Sequence, residues 1–165
     1  MYACICMNVC IYVCICCQVH GQDRQRVFLA AQLLSERVAK ALLHCFGESY
    51  KHEAAFILLA DQAFDTLNSR HVFDGKLHRS AFGLQNTLDA QYSCLMDFGK
   101  LMRDTRFVGR RKALPFQDGF VMSCTALRGL YSMLGRKYGL KYMLTSRLNQ
   151  DCVENFFSQV SFSLV

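Results

Sequence analysis

The sequence predicts a mainly α protein, a bundle-like helical domain that closes with a short strand and a last helix. Three observations carry that expectation. Apolar residues recur at spacings of three and four over most of the chain. Only 1 Pro and 10 Gly interrupt 165 residues. A hydrophobic fraction of 52% is enough to bury the core of one domain.

The elements follow in order. Asp23 to Phe46 carries Val27, Ala31, Leu34, Val38, Leu42 and Phe46 on one stripe, which predicts a core-facing helix stopped by Gly47. Lys51 to Asn68 repeats the pattern with Phe56, Leu59, Ala63 and Leu67. NSRHVFDGKLHRS is polar, contains Gly75 and reads as a loop. Ser80 to about Met102 sets Leu84, Leu88, Leu95, Phe98 and Met102 on a near-heptad seam, with Gln91 as its polar exception. That seam is too short for a long coiled coil, so bundle packing is expected. RDTRFVGRRKALPFQDG is a basic connector that holds Pro115. Phe120, Cys124, Leu127, Tyr131 and Leu134 mark another helix. GLKYMLT alternates as a short strand, and Asp151 to Val160 closes as a helix with Val153, Phe156, Phe157 and Val160 inward.

The first 22 residues stand apart, with no charge and six of the chain's 10 Cys crowded into positions 4 to 17. A secretory or anchoring leader is one reading. The stretch lacks a basic n-region and an A-x-A-like cleavage site, and its apolar run is at the lower edge of what spans a bilayer. A Cys-rich metal site is a second, without defined ligand geometry. The third concerns the gene: Cys, Tyr, Val, Met, Ile and Ala are what a translated TG/TA/CA dinucleotide repeat encodes. The other four cysteines (Cys45, Cys94, Cys124, Cys152) lie far apart without zinc spacing and read as small buried hydrophobes in a reducing compartment.

Neither a GxxxxGK[ST] nor a GxGxxG phosphate loop is present, nor a Gly-x-Ser-x-Gly elbow. Three features remain, each with two readings. Asp151-Cys152-Val153-Glu154 fits a capping box at a helix start. Glu154 also projects one turn in, as a hard oxygen ligand able to share Mg²⁺ with acidic residues from elsewhere. In FDTLNSR, Asp65 and Asn68 lie i, i+3 at a helix end, either as a solvated C-terminus or as a pair facing one ligand. A carboxylate there matches two adjacent N–H donors such as those of the guanine edge, and an amide supplies both donor and acceptor. The run Arg103, Arg106, Arg110, Arg111, Lys112 is a solvated face or a phosphate-neutralising surface. The formal charge of +6 favours an acidic or polyanionic partner.

The string LTSRLNQDCVENFFSQV resembles the segment of P-element-type, THAP-linked transposases in which an L-[NS]-Q-D-x-x-E-x-F-F block precedes a basic stretch. VFLAAQLLSERVAKAL, DQAFDTLNSR, LPFQDGF and LYSMLGRKYGLKYMLTSRLNQD resemble the same family in the same order, over roughly residues 23–160. The resemblance implies a cut-and-paste DNA transposase whose ribonuclease-H-like core is interrupted by a helical GTP-binding insertion. Residues 23–140 would be the later part of that insertion, 141–160 the return into the catalytic core, and 161–165 a tail outside the family pattern. Glu154 is then the catalytic, metal-binding glutamate of an Asp-Asp-Glu triad, with Mg²⁺ as the implied metal. Asp65, Asn68 and Asp151 are contacts to the GTP base, with GTP an assembly cofactor rather than a fuel. Beside that resemblance, the basic connector offers Arg110, Arg111 and Lys112 as DNA-binding candidates.

The departures are equally specific. The two catalytic aspartates, the first part of the insertion and the zinc finger have no counterpart, so the chain is expected to be inactive alone. Loss of family character near Gln22 and after Val160 leads to the expectation of one or two exons flanked by intron read-through. The resemblance implies a nuclear protein. The composition leaves two alternatives: a domesticated helical module that binds a protein or a second copy of itself, and a secreted or anchored protein resting on residues 1–17.

Overall fold

The computed structural model describes residues 27–107, 109 and 112–149. Among the described residues five helices carry the fold: α1 (Val27–Leu33), α2 (Glu36–Phe46), α3 (Lys51–Leu67), α4 (Leu88–Asp104) and α5 (Pro115–Tyr138). Single 3-10 turns lie at Gly47–Tyr50, Leu77–Arg79 and Thr145–Arg147. The mainly α expectation is met, and no sheet forms among the described residues. The closing helix expected at Asp151 to Val160 lies outside them.

The first expected helix is two. Ser35 takes an extended conformation (φ −111°, ψ 154°) and breaks the run into α1 and α2. Serine is common at this N-cap position, and here its carbonyl opens α2 by receiving the Val38 and Ala39 N–H groups at 3.0 and 3.1 Å. The bend lets Leu34 pack against both core clusters at once. Gly47 stops α2 as expected: its φ of +61° is the left-handed region open to glycine, and its N–H caps the Leu43 carbonyl.

α3 is the hub. One face sets Ala54 and Ile57 against Ala39 and Leu42 of α2. The opposite face sets Ala60 and Ala63 against a larger core of Leu95, Phe98 and Met102 from α4 and Cys124 and Leu127 from α5. Each large apolar side chain buried there contributes about 2 kcal/mol. Two expected core residues lie outside it, since Phe46 is 56% and Phe120 40% exposed. Cys94 and Cys124 are buried as expected, whereas Cys45 is exposed.

The largest correction concerns Ser80 to Thr87, which the seam assigned to a helix. That stretch is extended and turned, and α4 begins only at Leu88. Phe82 is fully buried, edge-on to Tyr92 and Tyr131 with ring centroids 5.6 and 5.4 Å apart. Gly83 permits this: its φ is +101°, and the Tyr131 ring lies where a β-carbon would be. The expected strand at GLKYMLT is reduced to one antiparallel bridge, Met143 exchanging both backbone hydrogen bonds with Phe82 (2.8 and 2.9 Å).

α5 starts one turn before its apolar stripe because Pro115 occupies the first helical position, where its missing N–H costs nothing. Gln117 then joins α5 to α4. Its side-chain oxygen accepts the Leu114 N–H at 2.8 Å, and its NH₂ donates to the Met102 and Thr105 carbonyls at 2.7 and 3.0 Å.

Candidate functional site

α3 ends at Leu67 with Asn68 as its cap, so its last turns place Asp61, Asp65 and Asn68 at one end of the bundle. The loop that follows folds back over that end. Asp74 Oδ1 accepts the Lys76 N–H at 3.0 Å, Ser80 Oγ accepts the Asp74 N–H at 3.0 Å, and the Ala81 N–H reaches the Val72 carbonyl at 3.1 Å. Between loop and helix lies a cavity of about 240 Å³ lined by Phe64, Asp65, Asn68, His71, Asp74 and Arg79. Pockets that swallow a whole ligand run from about 300 Å³ upward, so this one suits a single ring system. Asp65 and Asn68 thus line one cavity.

The electrostatics of this end turn on Lys76. Its ammonium lies 3.1 Å from Glu36, 3.4 Å from Asp61 and 3.9 Å from Asp65, neutralising carboxylates from two helices. Burial, then the charge of Asp61, pushes the Asp65 carboxyl above its ordinary range, while Lys76 and Arg79 pull it back. Asp65 is therefore a poorly solvated acceptor, the state in which a carboxylate gains most from two convergent N–H donors. The backbone N–H of Lys76 holds Asp74 below its ordinary range. Burial lowers the pKa of His78, whose Nδ1 is 3.2 Å from the Thr66 hydroxyl.

The chain returns to the same end after α5. Thr145 is almost fully buried; its hydroxyl donates to the Thr66 carbonyl (2.8 Å) and accepts the Ser69 N–H (2.8 Å). Four residues on, the Asn149 amide donates to the Asn68 side-chain oxygen at 3.3 Å. That contact leaves the Asn68 NH₂ as a donor for a ligand. Beside the return runs an open apolar groove of about 870 Å³ whose walls include Leu67, Leu127, Leu130, Met133 and Leu148.

The other expected residues fall differently. Asp151, Glu154, Arg110 and Arg111 lie outside the described residues, and Lys112 is exposed. Among the described residues no three acidic, His or Cys side chains form a metal-binding group. Glu36, Asp61 and Asp65 share the Lys76 ammonium instead. No described helix is long and apolar enough to cross a membrane. The sequence reading missed Lys76, Arg79 and Asp74. Their signal was the alternating charge of FDGKLHR directly after the Asp65/Asn68 helix.

A family model described as a TNP-like, GTP-binding insertion domain matches residues 16–80, which include Asp65, Asn68 and the whole cavity loop. The transposable element P transposase of Drosophila melanogaster is 36% identical over 148 residues, covering 86% of this chain and 19% of that protein. The fold matches the Drosophila P element transposase strand transfer complex with a TM-score of 0.78 at 34% identity, over 86% of this chain and 33% of the solved one. The chain thus spans about a fifth of the length of the curated relative it matches. By sequence and by fold the chain is similar to part of a P-element-type DNA transposase, and residues 16–80 match a GTP-binding insertion domain.

Proposed function

We propose that this chain supplies part of a GTP-binding insertion domain to a P-element-type DNA transposase acting in the nucleus, with Asp65 and Asn68 as contacts to the guanine base. The observation that carries the reading is the hydrogen bond between Asn149 and Asn68. It joins the returning chain to the end of α3, which supports a base site to which Asp151, two residues further along the sequence, also contributes. The chemistry fits the base: carboxylates take the N1–H and exocyclic NH₂ of guanine, and the Asn68 amide offers a donor to its ring acceptors. The cavity has room for the base alone, so sugar and phosphates face outward. This agrees with a chain that has no phosphate loop and with GTP as an assembly cofactor.

Glu154, three residues after Asp151 in the sequence, is the catalytic glutamate in this reading. With Mg²⁺ bound, it would help position a water or 3′-hydroxyl for attack on a phosphodiester. One carboxylate does not make such a site, and the two aspartates must come from elsewhere. The chain is therefore inactive alone, with DNA contacted in the whole enzyme through Arg110, Arg111 and Lys112. Incubation with nicked and intact transposon-end DNA in Mg²⁺ or Mn²⁺ tests this. No cleavage or joining is expected; activity abolished by Glu154→Gln would overturn the claim of inactivity.

The open apolar groove supports a second reading, a domesticated helical module that pairs with another copy of itself. It predicts concentration-dependent association indifferent to GTP and to Asp65→Ala. A monomer at every accessible concentration in sedimentation would exclude it.

A further inference from the structure

We infer that the groove between α4 and α5 is a binding site for backbone phosphates of a nucleic acid, with the Arg128 guanidinium at its centre. The groove has a volume of about 320 Å³, and its charged lining is Lys100, Arg103 and Arg128 with Asp97 and Asp104. Arg128 is only partly exposed, yet its Nε has no hydrogen-bond partner. Its remaining contacts are soft ones: one Nη1 donates to the thioether of Met96, and the guanidinium lies over the Tyr92 ring, 5.1 Å from its centroid. Ion pairs among the described residues involve Lys40, Lys51, Lys76 and Arg79, so none of the three groove cations has a carboxylate partner.

A desolvated cation held by an aromatic face and a sulfur atom, with an N–H left over, is a donor set that lacks its anion. A tetrahedral phosphate oxygen pair matches the planar fork of arginine and bonds it in two places. Asp97 and Asp104 oppose a freely diffusing dianion, and Asp97 is engaged by the Ser93 hydroxyl at 3.4 Å. A backbone phosphate carries a single charge and is held by its neighbours along the strand. Those neighbours have cations to meet. Arg103, at the end of α4, is followed by the exposed Arg106. The inference does not depend on Asp65 binding guanine.

The test measures affinity for a 20-base-pair duplex by fluorescence anisotropy across a salt series, for the parent chain, Arg128→Met and Arg128→Lys. One lost phosphate contact lowers the log–log salt slope by about 0.9 and the affinity at 0.1 M salt by about 8-fold. Arg128→Met is expected to show both losses and Arg128→Lys to keep the slope. The loss should persist on top of Arg110→Ala, Arg111→Ala and Lys112→Ala, which separates this site from the connector contacts. Thermal unfolding without DNA supplies the control: removal of a cation that has no anion should leave the melting temperature unchanged or raised. Three outcomes overturn the inference: an unchanged slope for Arg128→Met, a lowered melting temperature accounting for the weaker binding, or millimolar inorganic phosphate occupying the groove while DNA binding is indifferent to Arg128.

Discussion

Gln91→Leu should cost this fold more than any surface change of similar size. Gln91 is fully buried, and its side chain replaces a missing strand partner for Leu77–Gly83. Its oxygen accepts the Gly83 N–H at 3.3 Å; its NH₂ donates to the Ser80 carbonyl at 3.1 Å, with longer contacts to Ala81 and Leu77 at 3.4 and 3.5 Å. Leucine has nearly the same volume but no polar atom, so the Gly83 N–H and the Ser80 carbonyl lose their partner inside the protein. Each such group costs about 1–3 kcal/mol. The longer contacts add little, and the leucine recovers about 1 kcal/mol of apolar burial. The net loss is about 1–5 kcal/mol, centred near ~3, a large share of the ~5–15 kcal/mol that holds a domain together. Urea unfolding followed by circular dichroism should show the midpoint falling by about 1–2 M at an unchanged slope. A midpoint that does not move would refute the assignment of Gln91 as the clamp of this segment.

Asp65→Asn should stabilise the protein at neutral pH while weakening GTP binding. The folded carboxyl is held above its ordinary range by burial and Asp61, so the native state binds more protons than the unfolded one between the two pKa values. Its favourable contribution is present below the ordinary carboxylate range and lost as pH rises through the raised value; the gain from Asp65→Asn should therefore grow from pH 3 to pH 7 in melting experiments. Gly83→Ala should destabilise by about 2–4 kcal/mol, because a side chain at φ +101° is strained and would displace the Tyr131 ring, measurable in the same urea assay. Burial pushes the Cys94 and Cys124 thiols up to about 12 and about 11, so peptide-resolved alkylation at pH 8 should label Cys45 first and those two only on unfolding.

The helical stripes were legible because periodicity is a local signal. α3, the later part of α4 and the stop at Gly47 follow from it, and so does the pairing of Asp65 with Asn68 on one helix end. What periodicity misread was Ser80 to Thr87, where Leu84 keeps helical spacing with Leu88 although the backbone before Leu88 is extended and turned. The deciding facts are non-local: Phe82 fills the space between Tyr92 and Tyr131, and Gly83 yields to a ring 48 residues away. Gln91 looked like a flaw in an apolar seam for the same reason, since its partners come from the loop it clamps. Lys76 escaped notice because its meaning depends on Glu36 and Asp61, which only folding brings together. Pro115 was read as punctuation of a connector, whereas it opens α5.

If the Asp65 carboxylate reads the guanine edge, as proposed, its replacement should exchange the nucleotide preference. Asparagine at position 65 turns one acceptor into a donor, which matches xanthine, whose 2-position carries an oxygen, better than guanine. Titrations of GTP, XTP and ATP into ¹⁵N-labelled parent chain and Asp65→Asn, followed by amide shifts, detect binding as weak as millimolar. The account predicts shifts centred on Phe64 to His71 with GTP alone in the parent chain and a preference for XTP in the variant. Equal shifts with ATP, or none at these residues with any nucleotide, would contradict it.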